Sequence, residues 1–449
     1  MSVDPSTLVN SINQIWILYA ASLVFFMHAG FGMFEVGQYR AKNSSHQLSK
    51  NIMTWSAGII GYFIFGGAVA AIIAGLTGPA SLDIAGAFSY QSGGSVDFTY
   101  WLFGGTFAMA TASIVSGAIG GRSKLSGYIV YALAVGTVVY PVAVGLVWSG
   151  GWLAQIGFID FAGAGVVHLV GGTAAITAVY ILGPRLDKFN EDGSSNVIPG
   201  HSTSLMVLGT LMLAFGWFGF MTGTVGSVFE IASGGSGVEL GGFDMVGRVA
   251  MNTALASGAG VVGAIAYPII KGRRPDPDLM SIGMLSGLVT VCAFGHIAGG
   301  FGTIVVSLIA GFQAPIVENV QERLGLDDVV LAFPVHGTAG IVGLLAVPFF
   351  VPGGFTFEQL GLQVVGIVVL GGWAAISCAI IYGLLSILGL ARVDEETEAQ
   401  GLDKHGGDMT NYPEFIIGSG SPAQQIADGG EDAVTDGGEE QGNETSTSD

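Results

Sequence analysis

The chain has 449 residues, of which 51% are hydrophobic and 10% charged, with a mean hydropathy of +0.64. This lies far from the roughly 25% charged share of soluble domains and excludes a soluble globular protein. The net charge of −19 is concentrated at one end: 15 of the 33 acidic residues follow Val393, and without that segment the charge is −5.

The apolar runs extend for roughly 15 to 25 residues, whereas barrel strands alternate over about 10. An all-α membrane protein is therefore expected, and 74 glycines suit the close helix contacts that hold membrane bundles together. Helical spans of about 20 residues are predicted near 12–36, 52–77, 100–120, 127–149, 163–182, 203–225, 249–270, 280–296, 298–317, 335–351 and 362–390, eleven in all. The opening MSVDPSTLVNSINQ has no basic stretch before its apolar run, so that run reads as a retained first span.

An odd number of spans puts the termini on opposite sides, and lysine and arginine favour cytoplasmic connections. Arg40, Lys42, Lys50, Arg122, Lys124, Arg185, Lys188, Lys271, Arg273, Arg274, Arg323, Arg392 and Lys404 fall on one side. Only Arg248 falls on the other, with Asp83, Asp97, Asp160, Glu230, Glu239, Asp244 and Glu358. The expected orientation is N-terminus out and C-terminus in. Residues 1–392 form the membrane domain, 393–417 a cytoplasmic tail and 418–449 an acidic, disordered C-terminus.

Two histidines lie within membrane-length segments, His168 in VVHLVGG and His336 in PVHGTAG. Ionisable groups at that depth mark a functional path. HLVGGTAA in span five and HGTAGIVG in span ten also suggest a five-plus-five inverted repeat, each unit giving one histidine to a midplane site, with span eleven added outside it. No third ligand shares that depth, so no metal or other cofactor is expected. Cys292 and Cys378 lie in apolar runs as packing residues.

Asp160 stands at the outer end of span five as a helix cap or an outer carboxylate. Trp148 ends span four, as a membrane-interface anchor or a cation–π face. Phe103 and Phe107 lie one turn apart in span three, and Trp217, Phe218 and Phe220 sit among glycines in span six. A hydrated alkali cation would find no ring of carbonyls to replace its water beside two neutral imidazoles. A small weak acid such as ammonium can instead shed its proton, cross as a neutral species and be reprotonated.

The chain resembles the ammonium transporter (Amt/Mep/Rh) family, the Amt branch more than the Rh branch, over about residues 12–412. The likeness rests on MHAGFGMFEVGQYRAKN, TFAMATASIVSGAI, VYPVAVGLVWSGGWL, DFAGAGVVHLVGG, GPR, GWFGF, DDVVLAFPVHGTAGIVG and RVDEETEAQGLD, in order along the chain. It implies an eleven-helix subunit in a homotrimer, each subunit with its own pore. Trp148, Phe107 and Thr224 would bind ammonium or methylammonium outside, with Phe103 in the aromatic wall. Phe107 and Phe220 would gate the pore, Asp160 would support deprotonation, and His168 and His336 would line the lumen. The tail with Gly401, Leu402 and Asp403 would contact a neighbouring subunit and couple to a PII-type signal protein at the cytoplasmic face of the cell membrane. No nucleic-acid partner is implied.

Several positions depart from the family pattern. Met221 and Thr224 replace an amide and a serine, Leu146 a histidine two residues before Trp148, Gly121 an acid before Arg122, and His28 is unusual at its position. The loss at Gly121 predicts a missing ion pair on the inner side. The alternative function is an ammonium sensor that signals through the tail with little net transport.

Overall fold

The computed structural model describes residues 4–232, 237–405 and 411. The acidic segment 418–449 lies outside the described residues.

Helix α1 spans Pro5–Gln38, started by Pro5 and by Asp4, which accepts from the Thr7 amide. It is followed by α2 (Ala41–Thr77), α3 (Ser95–Ala118), α4 (Leu125–Gln155, broken after Val147), α5 (Ala164–Leu182) and α6 (Thr203–Gly223). A two-stranded antiparallel ribbon, β1 (Phe229–Ile231) and β2 (Val238–Leu240), precedes α7 (Phe243–Ile270). Then come α8 (Pro277–Val291), α9 (Gly300–Arg323), α10 (Phe333–Phe349), α11 (Phe357–Ile387) and two short tail helices, α12 (Glu395–Gln400) and α13 (Leu402–His405). Among the described residues nine helices are long and apolar enough to cross a membrane, and α8 and α10 are shorter apolar helices. The protein is thus an all-α membrane protein.

Span eight departs from its expected bounds. Its helix stops at Val291 rather than near 296, because the backbone beyond it bonds to other elements. The Ala162 amide donates to the Cys292 carbonyl at 2.7 Å and the Phe161 amide to Ala293 at 3.3 Å, while Asn252 Nδ2 donates to the Gly295 and Ala298 carbonyls at 2.9 Å each. Non-helical backbone is tolerated at depth when protein satisfies it in this way.

The packing has the pattern of two inverted units. The end of α1 meets the start of α6, where the Ser202 amide donates to Gly37 O at 3.1 Å and the His201 amide to Tyr39 O at 2.8 Å. At the opposite ends Asn13 on α1 accepts from the Val228 amide at 3.0 Å and donates to Phe229 O at 2.9 Å, just beyond α6. The two first helices therefore run antiparallel. Within one unit α2 packs on α3 and α4; within the other α7 packs on α8 and α9 in the same arrangement.

Helices α5 and α10 cross at the centre, and glycine permits the approach. A Cβ at Gly172 would fall on the Gly337 backbone, and one at Gly340 would lie 2.6 Å from the Ala164 carbonyl. Gly172→Val is expected to destabilise the protein by about 1–3 kcal/mol, read as a lower unfolding temperature in detergent. Gly372→Ala, where an added Cβ meets nothing within 4 Å, should leave that temperature unchanged.

One end of the bundle is held by buried charge. Asp327 takes two bonds from the Arg185 guanidinium, 2.7 Å from Nε and 2.8 Å from Nη2, and lies 3.9 Å from Arg122 Nη1. Gly121 brings no acid of its own, and Arg122 instead lies beside a carboxylate far away in sequence, that of Asp327. Burial opposes ionisation of Asp327, but Arg122 and Arg185 overcome it and hold its carboxyl below the usual carboxylate range. A carboxyl depressed on folding adds stability that is complete above the unfolded value near about 4 and is lost as pH falls toward the folded value. Thermal stability from this contact should therefore hold from neutral pH to about 4 and drop below it. Asp327→Asn should cost about 3–5 kcal/mol by leaving buried guanidinium groups unpaired, measured by the same unfolding assay.

The tail docks on this face of its own chain. Glu398 accepts from the Leu186 amide at 2.7 Å and from Arg392 at 2.8 Å, and Lys42 Nζ donates to the Glu398 and Ala399 carbonyls at 2.6 Å each. Asp403 accepts from the Ser45 and His46 amides at 3.0 and 2.8 Å, the Leu402 amide donates to Asn43 at 3.0 Å, and Gly401 turns at φ 109°.

Candidate functional site

Six of the sequence-selected side chains form one column through the bundle. Phe103 and Phe107 stand on α3 with ring centroids 4.8 Å apart. Phe107 is edge-on to Trp148 at 5.9 Å and stacked on Phe220 of α6 at 3.9 Å with an 18° interplanar angle. Phe220 lies 5.5 Å from the His168 ring, and His168 stacks 5.1 Å from His336. Phe107 and Phe220 are buried and parallel, so the two rings form a plate across the column above the histidines.

The geometry joins the imidazoles: Nδ1 of His168 and Nδ1 of His336 are 3.0 Å apart. One proton serves that contact, so one ring donates and the other accepts. Both rings come from helices that begin with a widened turn. The His168 amide reaches back five residues to Gly163 O at 3.0 Å, and the Ala339 amide reaches back five to Pro334 O. Wide turns of this kind concentrate at functional sites because they re-aim side chains.

Asp160 builds the start of α5. Its carboxylate accepts from the Gly163, Gly165 and Val166 amides at 3.2, 2.9 and 2.8 Å, and its carbonyl accepts from Trp148 Nε1 at 2.8 Å. Asp160 therefore caps the helix with its carboxylate and fixes the tryptophan with its backbone carbonyl. It does not sit on the helix itself, as a regular rise from residue 160 to His168 would place it; the chain turns at Gly163, where φ is +97°. An added Cβ there would meet Val167 at 2.8 Å and Trp148 at 3.0 Å. Burial pushes the Asp160 carboxyl up to about 6, against the pull of the Val166, Gly165 and Gly163 amides.

A second carboxylate, missed by sequence reasoning, holds α10 in the same way. Asp328 accepts from the Ala332 and Phe333 amides at 3.0 and 2.8 Å and stands as far before His336 as Asp160 stands before His168. Leu331 occupies the position equivalent to Gly163 and shares its positive φ, at 55°, a conformation that costs a branched side chain free energy. Pro334, equivalent to Val166, has no amide hydrogen to donate, and the Asp328 carboxylate accepts from Gln321 Nε2 at 3.3 Å besides the two amides. Equal spacing from the two histidines was the available signal.

Other departures are now placed. Trp217 lies stacked against His168 at 5.1 Å and donates to Cys292 Sγ at 3.3 Å. Met221 is fully buried. The Thr224 hydroxyl donates to Phe220 O at 2.8 Å, bonding the end of its own helix while keeping acceptor capacity. His28 lies against Trp55 at 5.4 Å, away from the column, and its ring nitrogens have no hydrogen-bond partner among the described residues. Leu146 is partly buried against the core. Cys292 and Cys378 are buried free thiols.

A polytopic helical protein with a narrow aromatic and imidazole path between two inverted units has the construction of a membrane transporter or channel. Comparison makes the assignment definite. A profile of the Ammonium Transporter Family matches residues 15–412. The chain is 46% identical over 432 residues to ammonium transporter Amt2 of Haloferax mediterranei, covering 94% of this chain and 93% of that protein. It is 41% identical to ammonium transporter Amt1 of the same organism, covering 98% and 86%. Among solved structures it is similar to one described as Sensor Amt Protein, with a TM-score of 0.79 and 30% identity over 90% of this chain and all of that one. Mep2 of Saccharomyces cerevisiae has the same fold at a TM-score of 0.73 and 23% identity, covering 86% and 89%. The chain belongs to the ammonium transporter family, a family of transporters and not of enzymes.

Proposed function

We propose that this protein carries ammonium across the cell membrane. NH4+ is recruited at an outer site formed by Trp148, Phe107, Phe103 and the Thr224 hydroxyl, where aromatic faces favour a partly desolvated cation. Asp160 supplies negative potential behind Trp148 and supports loss of a proton. Displacement of Phe107 and Phe220 admits NH3, which crosses between His168 and His336 with or without a coupled proton. The observation that carries this reading is the Nδ1 pair at 3.0 Å beneath the stacked phenylalanines: a shared imidazole contact can hydrogen-bond a neutral amine and hand on a proton, yet gives no cage for an alkali ion.

The distribution of cations supports an N-out, C-in orientation, with the tail and the Asp327 cluster on the cytoplasmic side. Family membership supports a homotrimer with one pore per subunit. Residues 393–417 act as the regulatory tail, anchored by Glu398 and Asp403, on the face where a PII-type protein would bind. In proteoliposomes an ammonium jump should evoke a current or uptake that a potassium jump does not. Trp148→Leu should weaken apparent ammonium affinity by about tenfold or more, as loss of about 1.4 kcal/mol or more of cation–π stabilisation implies.

The 30% identity to a structure described as Sensor Amt Protein favours a second reading, in which bound ammonium is signalled through the tail with little net flux. Truncation after Gly418 separates the two: a transporter keeps its flux, and a sensor loses its output.

A further inference from the structure

Just inward of His336, α1, α2 and α3 enclose an acid and a base. Glu35, near the end of α1, is only 1% exposed. Its Oε1 accepts from Ser116 Oγ at 2.5 Å, and its Oε2 accepts from Gln47 Nε2 at 2.5 Å and Asn51 Nδ2 at 2.7 Å. Lys50 is fully buried; its ammonium donates to the Ser116 carbonyl at 2.7 Å and to Ser123 Oγ at 3.2 Å, and lies 4.9 Å from the Tyr128 ring centroid. Ser116 thus bonds Glu35 through its hydroxyl and Lys50 through its carbonyl.

Glu35 and His336 line one cavity, closed by Phe31, Phe34, Trp217 and Val330. Its volume of ≈ 10 Å³ admits about one water. Around the carboxylate, Gln47 Oε1 and Asn51 Oδ1 are buried with no hydrogen-bond partner among the described residues, acceptor capacity that a protonated Glu35 or a water can use. Packing alone does not account for the cluster, since apolar side chains of similar volume would fill it without the desolvation cost of two ions.

We propose that Glu35, poised by Lys50, is the inner proton-relay group of this transporter. The inference rests on the transport reading. The carboxylate takes the proton that leaves the histidine pair through one water and becomes a carboxylic acid. NH3 emerging from the lumen then takes that proton, leaving as NH4+ and restoring the carboxylate. No other reactant enters, and one charge crosses per ammonium. The charged and titratable groups facing the pair are His46 on α2, Tyr39 and Arg122 at the ends of α1 and α3, Tyr128 on α4 and His336 on α10.

The test uses the full chain in proteoliposomes, with current and ammonia uptake read in parallel over a range of pH. Glu35→Gln should lower the ammonium-evoked current by about tenfold or more, leave uptake of neutral ammonia and flatten the pH profile of the current. Glu35→Asp should restore part of the current. Lys50→Met removes the cation that favours the ionised acid, so it should move the pH profile upward, and only when Glu35 is present. Wild-type current and pH profile in Glu35→Gln would overturn the proposal. So would equal loss of current and uptake in Glu35→Gln and Glu35→Asp with an unshifted profile in Lys50→Met, the pattern of a structural prop. Absence of flux in the wild type would instead overturn the transport reading beneath it.

Discussion

Asp160→Ala is expected to reduce ammonium uptake by about a hundredfold or more, the loss that removal of a single preorganised electrostatic group from a buried site brings, and to destabilise the protein by about 2–4 kcal/mol. The second effect follows because three backbone amides at the start of α5 lose their acceptor, at about 1–3 kcal/mol for each one left buried and unpaired, less what local rearrangement recovers. Asp160→Asn separates the two roles. An amide oxygen still caps the helix, so stability falls by less, but the negative potential behind Trp148 is gone and uptake falls with it. The pH dependence has a definite sign: with its carboxyl pushed up to about 6, Asp160 is ionised above that value and neutral below it. Wild-type uptake should therefore decline as external pH drops through about 6, and Asp160→Asn should be low and insensitive over the same range.

His168→Leu and His336→Leu should each lower uptake by about a hundredfold, within the range for losing a group that handles protons. Either change removes one side of the 3.0 Å contact and leaves the surviving Nδ1 facing hydrocarbon. Stability should change by only about 1–2 kcal/mol, since one buried acceptor or donor is orphaned while leucine fills the space. Uptake and the unfolding temperature, measured on the same preparations, distinguish this outcome from a collapse of the bundle.

Much of this arrangement is written in local patterns. Apolar runs of membrane length place the helices, and the matching HLVGGTAA and HGTAGIVG stretches bring α5 and α10 together at the histidines. Trp148, Phe107, Phe220 and Asp160 could be selected because each stands in an ordered motif within a span or at its end. What escaped depends on contacts between segments remote in sequence. Glu35 and Lys50 belong to separate helices, and neither shows that Ser116 on a third helix joins them. Arg122 looked short of an acid because its partner, Asp327, sits in the connection before α10. The end of α8 was misplaced because apolar content continues past Val291 while the backbone turns to bond Phe161, Ala162 and Asn252. Asp328 was the nearest miss: the repeat that pairs the histidines also pairs the two carboxylates.

The relation between pair and path is tested most directly by uptake of labelled methylammonium into proteoliposomes holding wild-type protein or the His168→Leu/His336→Leu double variant at matched density. The expected result is saturable uptake by the wild type and about a hundredfold less by the double variant, with both proteins intact. Equal uptake by the two, or none by intact wild-type protein beside a working control transporter, would contradict it.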